Sequence, residues 1–264
     1  MHLMHRCRWC WLLALLPCLV AAVALGGTGA ESDEARIALD RAVEFMGGRE
    51  VVYGMRTLVV ATDNTRDHDG RQVLVPTRTY YAFPLSVRQE IVLNGRMIAM
   101  ASSPGGGTLF GAEGDSPLDH ATRIGVERTT MRNPLVLLKS RLGRRVAAEV
   151  QGSEDVDGET TDRVILAQQD NVTTMLIGRS DGRPVEIRYD LVAADASRRS
   201  VHVRFADWKT GPSGLRYPHT ARGRENGKPV FEIVTRKVDV DIPLSATLFT
   251  GTGDSPGYGA GLLR

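Results

Sequence analysis

RRSVHVRFADWKTGPSGLRYPHTARGRENGKPVFEIVTRKVDVD, residues 198–241, decides how the rest of this 264-residue chain is read. Val201, Val203 and Phe205 alternate with His202, Arg204 and Ala206, a period of two that gives an extended strand one apolar and one polar face. Gly211-Pro212-Ser213-Gly214 follows, with the fixed and positive φ values of a reversal. Leu215, Tyr217 and Pro218 open a returning strand, and Glu225-Asn226-Gly227 marks the next hairpin, because Asn-Gly adopts the turn whose twist matches its strands. A third strand covers 229–241. Its apolar residues change phase, Phe231 and Ile233 on one parity and Val238 and Val240 on the other, which predicts a bulge or sharp bend near Val234. Bent antiparallel strands curl their sheet, and a curled sheet can enclose a ligand.

Upstream the same grammar repeats. Strands are predicted over 57–66, 73–82, 84–93, 96–102, 108–112, 145–151, 160–168, 172–179 and 184–193, with hairpin turns at Asp69-Gly70, Asn94-Gly95 and Ser180-Asp181-Gly182. Pro76 argues for an edge or bulge position, since it has no amide to donate, and residues 104–107 read as a loop. Hairpin after hairpin without intervening helices means an antiparallel meander and excludes a βαβ fold.

Two regions depart from this pattern. Ser32 caps a helix with Asp33 and Glu34 in its first turn, apolar residues at Ala35, Ala38, Leu39, Ala42, Phe45 and Met46, and a Gly47-Gly48 stop. Residues 115–142 carry two helix-start signatures, Ser116-Pro117 and Asn133-Pro134, the second followed by Leu135, Leu138 and Leu142. The fold class is therefore α+β: a strongly curved antiparallel sheet, a half-open β-barrel, with an N-terminal helix and a helical insertion covering the concave face.

Residues 1–30 stand apart, with Arg6 and Arg8, an apolar run from Trp9, and a small-residue end at Ala30. These are the parts of a secretory signal peptide cleaved after Ala30, with a retained membrane anchor as the alternative. A lipidated Cys18 is disfavoured by Pro17 before it. Removing the segment takes away Cys7, Cys10 and Cys18 and brings the formal charge from +2 to zero, because Arg6 and Arg8 are its only charged residues. No basic excess remains to attract nucleic acid. The expected organisation is a signal peptide at 1–30, one domain at 31–250, and a flexible glycine-rich tail at 251–264.

Catalytic signatures are sparse. His68, His120, His202 and His219 do not share a metal-ligand spacing, and there is no nucleophile elbow, phosphate loop or dinucleotide fingerprint in a strand-to-helix context. No metal, cofactor or enzyme activity is expected. Ile91, Leu93, Ile98, Met100, Phe110, Val203, Phe205, Trp208 and Tyr217 fall on strands that would form a concave wall. They read either as core beneath the helices or as the lining of an acyl-chain cavity, where methionine and aromatic side chains adapt to a mobile ligand.

Phe205-Ala206-Asp207-Trp208, the glycine-containing turn, and Gly214-Leu215-Arg216-Tyr217-Pro218 resemble the closing hairpin of bacterial outer-membrane lipoprotein-sorting proteins, the LolA/LolB-like family of periplasmic carriers. Ile242-Pro243-Leu244-Ser245-Ala246-Thr247-Leu248-Phe249 resembles the short closing segment of such chains. The resemblance implies a half-barrel with helices over an apolar cavity, and hence a monomeric periplasmic carrier or binder of lipid or lipoprotein acyl chains. An inner- or outer-membrane protein partner would accompany that role. The alternatives are a periplasmic interaction or sensory module of the same fold without a transported ligand and, behind it, a hydrolase with a dispersed site.

Overall fold

The computed structural model describes residues 31–68, 71–84, 86–93, 95–111, 114–142, 146–168, 171–192 and 197–250. The predicted signal peptide, the glycine-rich tail and the Asp69-Gly70 turn lie outside them. The elements in chain order are α1 (Asp33–Phe45), α2 (Gly48–Gly54), β1 (Thr57–His68), β2 (Arg71–Ala82), β3 (Ser86–Leu93), β4 (Arg96–Ser103), β5 (Gly106–Gly111) and β6 (Gly114–Pro117). There follow α3 (His120–Thr130), α4 (Pro134–Ser140), β7 (Ala147–Val156), β8 (Glu159–Gln168), β9 (Asn171–Gly178), β10 (Pro184–Val192), β11 (Arg198–Thr210), β12 (Arg216–Glu225), β13 (Lys228–Val240) and a 3-10 turn, Ala246–Phe249.

All thirteen strands form one antiparallel, unclosed sheet in the order β6-β5-β4-β3-β2-β1-β13-β12-β11-β10-β9-β8-β7. It consists of two meandering wings, β1 to β6 and β7 to β13, joined where the first strand pairs with the last. The joint is bulged: Ala61 pairs with Lys237 but Thr62 with Thr235, leaving Arg236 unpaired, two residues beyond the bend expected at Val234. The extra residue resolves the phase change. It turns Phe231 and Ile233, and after the bulge Val238 and Val240, to the same inner face.

The helices fill that inner face at one end. Ser32 Oγ accepts from the Ala35 amide at 3.2 Å as the predicted cap, and the small side chains of Ala35, Ala38 and Ala42 let α1 approach the sheet closely. With Leu39, Val43, Leu135 and Leu138 they form one core against Leu58, Val164, Leu166, Met175, Ile177 and Ile187. The β9–β10 turn fits under α1 only because residue 182 is glycine: its φ is +76°, and a Cβ there would lie 2.4 Å from the Arg41 carbonyl.

The outer face has its own smaller core. Residues 242–249 run back across it as a strap, placing Leu248 and Phe249 on Val59 and Tyr80, with Ile242 and Leu244 alongside. Beneath the strap lies a buried ion pair, Arg88 Nε to Glu90 Oε1 at 2.9 Å. Arg88 also donates to the Leu248 carbonyl at 3.1 Å and the Tyr80 hydroxyl to Glu90 at 3.1 Å, so the buried charges are held by both strap and sheet.

Three local expectations are corrected. Ser116-Pro117 does not start a helix. It ends the edge strand β6, where the amide that proline lacks faces no partner, and α3 begins instead at the Asp119 cap, whose carboxylate accepts from the Thr122 amide at 2.9 Å. Gly106 and Gly107 are strand residues of β5, paired with Ser103 and Ser102, and not part of a loop. Phe110 pairs with Ala99 and so faces outward, where the Arg88 guanidinium stacks 4.0 Å over its ring.

Candidate functional site

Ladder pairing fixes which side chains share the inner face, since directly opposed residues point the same way. From β2 to β4 these are Tyr81 with Val87, Thr79 with Gln89, and Thr77 with Ile91. The row continues through Val87 with Ser102, Gln89 with Met100, and Ile91 with Ile98. The opposite wall carries Phe231 against Gly223 and Ile233 against Ala221, then Val203 against Gly223. Gly223 makes room for the flat Phe231 ring, for which a Cβ would be 2.1 Å away. The result is an apolar trough, filled at one end by helices and uncovered at the other.

Of the residues singled out by sequence, Ile91, Leu93, Ile98 and Met100 come together on one wall of this trough, and Ile98 remains 40% exposed although it faces inward. Val203 stands on the facing wall. Phe205 is buried in the helix-packed core, and Trp208 joins it, its ring 5.0 Å from Phe45 and 6.3 Å from Phe205. Tyr217 is half-buried next to the β11–β12 turn, its ring edge against Gly211. Phe110 is on the other side of the sheet.

Where trough and helices meet, α3 lies over β3 and β4 and encloses a crevice of about 120 Å³ lined by Thr79, Tyr81, Val87, Gln89, Met100, Gly125, Val126, Thr129 and Thr130. Burial pushes the Tyr81 hydroxyl up to about 12, which keeps it neutral in this lining. Val87 shares the strand parity of Ile91 and Leu93 and was legible in sequence. Tyr81 was not, because Tyr80 beside it is equally aromatic and faces outward. Val126 sits on a helix whose apolar stripe is too narrow to announce a buried side.

The covering helices are anchored unequally. Arg141 at the end of α4 binds Glu31 at 2.5 Å, Asp40 at 3.0 Å and the Tyr53 hydroxyl at 3.2 Å. Lys139 donates to the Tyr53 carbonyl at 2.8 Å, capping α2, and burial lowers its pKa. Residues 134–138 of α4 are all buried, whereas α3 has no buried residue. Ser102 Oγ on β4 donates to Glu127 Oε1 of α3 at 3.0 Å.

Polar groups elsewhere serve structure. Glu186 on the outer face is held by Arg188 at 2.5 Å and His202 at 3.2 Å, and among the described residues no three His, Cys, Asp or Glu side chains are placed to share a metal.

No family model and no curated protein matches the sequence. Among solved structures, the chain is similar to a LolA superfamily protein from Nitrosomonas europaea, at 12% identity and a TM-score of 0.58 over 81% of this chain and 96% of that one. It is also similar to a domain assigned to outer membrane lipoprotein sorting from Vibrio parahaemolyticus, at 10% identity and a TM-score of 0.50 over 81% and 97%. At such identities the likeness concerns architecture: the chain has the LolA-like fold.

Proposed function

We propose that this protein is a periplasmic binder or carrier of amphiphiles that takes acyl chains into the inner trough, and that it performs no catalysis. The observation that carries this reading is the inward-facing apolar wall of Ile91, Leu93, Ile98 and Met100, left partly uncovered and continuous with the crevice under α3. Apolar surface held open to water is a standing cost of roughly 25 cal/mol per Å² that a bound chain would recover. The likeness of the fold to a lipoprotein-sorting domain supports the same reading.

The crevice of about 120 Å³ is well below the roughly 300 Å³ at which ligand pockets begin, so an acyl chain would need more room than the crevice offers. Uptake requires α3, the weakly anchored helix, to swing from β3 and β4 while α1 and α4 stay in place. The amino-terminal segment would direct the chain to the periplasm and the described sheet would act as one carrier domain, with a membrane protein delivering or receiving the cargo.

A second reading, an interaction module of the same fold, is favoured by how completely side chains fill the end under α1 and α4. Native mass spectrometry of protein purified from the periplasm separates the two. A co-purified amphiphile supports the carrier, and bare protein that also fails to take up a fluorescent acyl probe supports the module.

A further inference from the structure

Arg132, in the turn between α3 and α4, is a partly buried arginine. Arg88, Arg141 and Arg188 are each paired with carboxylates. Arg132 has none among the described residues; its Nε is buried without a hydrogen-bond partner, as are those of Arg41, Arg141 and Arg183, and its polar contact is with the Tyr189 side chain. Its guanidinium lies 3.9 Å over the ring of Tyr189, an inner-face residue of β10. Burial lowers its pKa, and nearby Arg128 opposes its charge further. A guanidinium taken from water without a counter-charge is costly, and an arriving anion offsets part of that cost.

A second cation approaches from across the trough. Arg66 shares the inner face of β1 with Asn64, pairs with Phe231 and Val73, and is exposed. Its charge, like that of Arg132, works against the rise that burial imposes on the Tyr189 hydroxyl. In a flat sheet β1 and β10, four strand spacings apart, would be separated by about 19 Å, and the curl of this sheet shortens that span. The carboxylate that also acts on Tyr189, Glu225, is itself held by Arg199 at 3.0 Å. Val203, Phe231 and Ile233 line the wall between.

We infer that the mouth of the trough recognises the anionic head group of an acyl-chain ligand, a carboxylate or a phosphate, with Arg132 as its principal partner and Arg66 facing it. This rests on the trough being the acyl-chain site, and it narrows the ligand class from amphiphiles in general to anionic ones.

The test uses 11-(dansylamino)undecanoic acid and its methyl ester, followed by fluorescence at low salt. The wild-type protein should bind the acid at least tenfold more tightly than the ester, the ratio given by one charge-assisted hydrogen bond. Arg132→Gln should bring the acid to the affinity of the ester and leave the ester unchanged. If circular dichroism shows that this variant does not fold, Arg66→Gln replaces it, with a loss of about threefold expected for the acid alone. Lysophosphatidylglycerol, laurate and neutral monolauroylglycerol then compete for the acid probe. Stronger displacement by the first assigns a phosphate and by the second a carboxylate. Equal affinity for acid and ester, or equal displacement by the neutral lipid, overturns the head-group assignment and leaves the trough standing. Binding of neither probe overturns the trough reading as well.

Discussion

At the scale of single residues, the two faces of β2 place adjacent tyrosines in opposite cores, and burial raises both to about 12, with Glu90 adding to the shift at Tyr80. A phenol whose folded value lies above its unfolded value of about 10 contributes stability that is complete below pH 10 and is lost as pH rises from about 10 to about 12. The loss should reach about 2–3 kcal/mol per tyrosine. Thermal melts at pH 9 and pH 11.5 should therefore differ strongly, and Tyr81→Phe should shrink that difference. The buried Arg88–Glu90 pair supplies a second expectation: Arg88→Ala, which strands a buried carboxylate, should lower stability by about 3–5 kcal/mol in urea unfolding. Met100 and Phe205 were indistinguishable in sequence, both apolar on predicted strands. The helices separate them, because Phe205 is packed into the core that α1 and α4 fill, whereas Met100 lines the crevice left under α3. Met100→Glu should abolish acyl-probe binding with little effect on the melting temperature, whereas Phe205→Glu should unfold the protein, and near-ultraviolet circular dichroism reports which has happened.

At the scale of elements, strands and hairpins were legible because period-two alternation and Asn-Gly or Asp-Gly turns are local signals. At Asn226-Gly227 both φ values are positive, 48° and 80°, as that turn requires. Helix α4 was equally readable from Asn133-Pro134, whose side chain accepts from the Leu135 amide at 2.9 Å. The start of α3 was not, because Pro117 drew attention to an edge strand and the working cap is Asp119. What sequence could not convey is the difference in anchoring between α3 and α4, which depends on Arg141 and Lys139 reaching residues about a hundred positions away. That difference makes an element-scale prediction: hydrogen exchange should be faster throughout α3 than in α1 or α4. Cysteines introduced at Ser102 and Glu127 and joined by a short reducible bis-methanethiosulfonate should block probe uptake, and reduction should restore it. The native cysteines, Cys7, Cys10 and Cys18, all precede residue 31, so the introduced pair would react alone in protein expressed from residue 31 onward.

At the scale of the whole molecule, the meander was read correctly within each wing apart from β6 and the start of β5. The union of the wings was not, since nothing local says that β1 pairs with β13. The strap belongs to the same class of long-range feature: its apolar residues were visible, but not that they cross the outer face to cover Arg88 and Glu90. Ending the chain at Asp241 should expose Val59, Tyr80 and the ion pair together, lowering stability by several kcal/mol and broadening the unfolding transition.

The β1–β13 ladder has one more consequence. A polypeptide delivered amino terminus first leaves its first strand with a vacant side until residues 228–240 appear, so the two halves cannot become one sheet before nearly the whole chain has arrived. The final strand is thus the piece that makes the two halves one sheet.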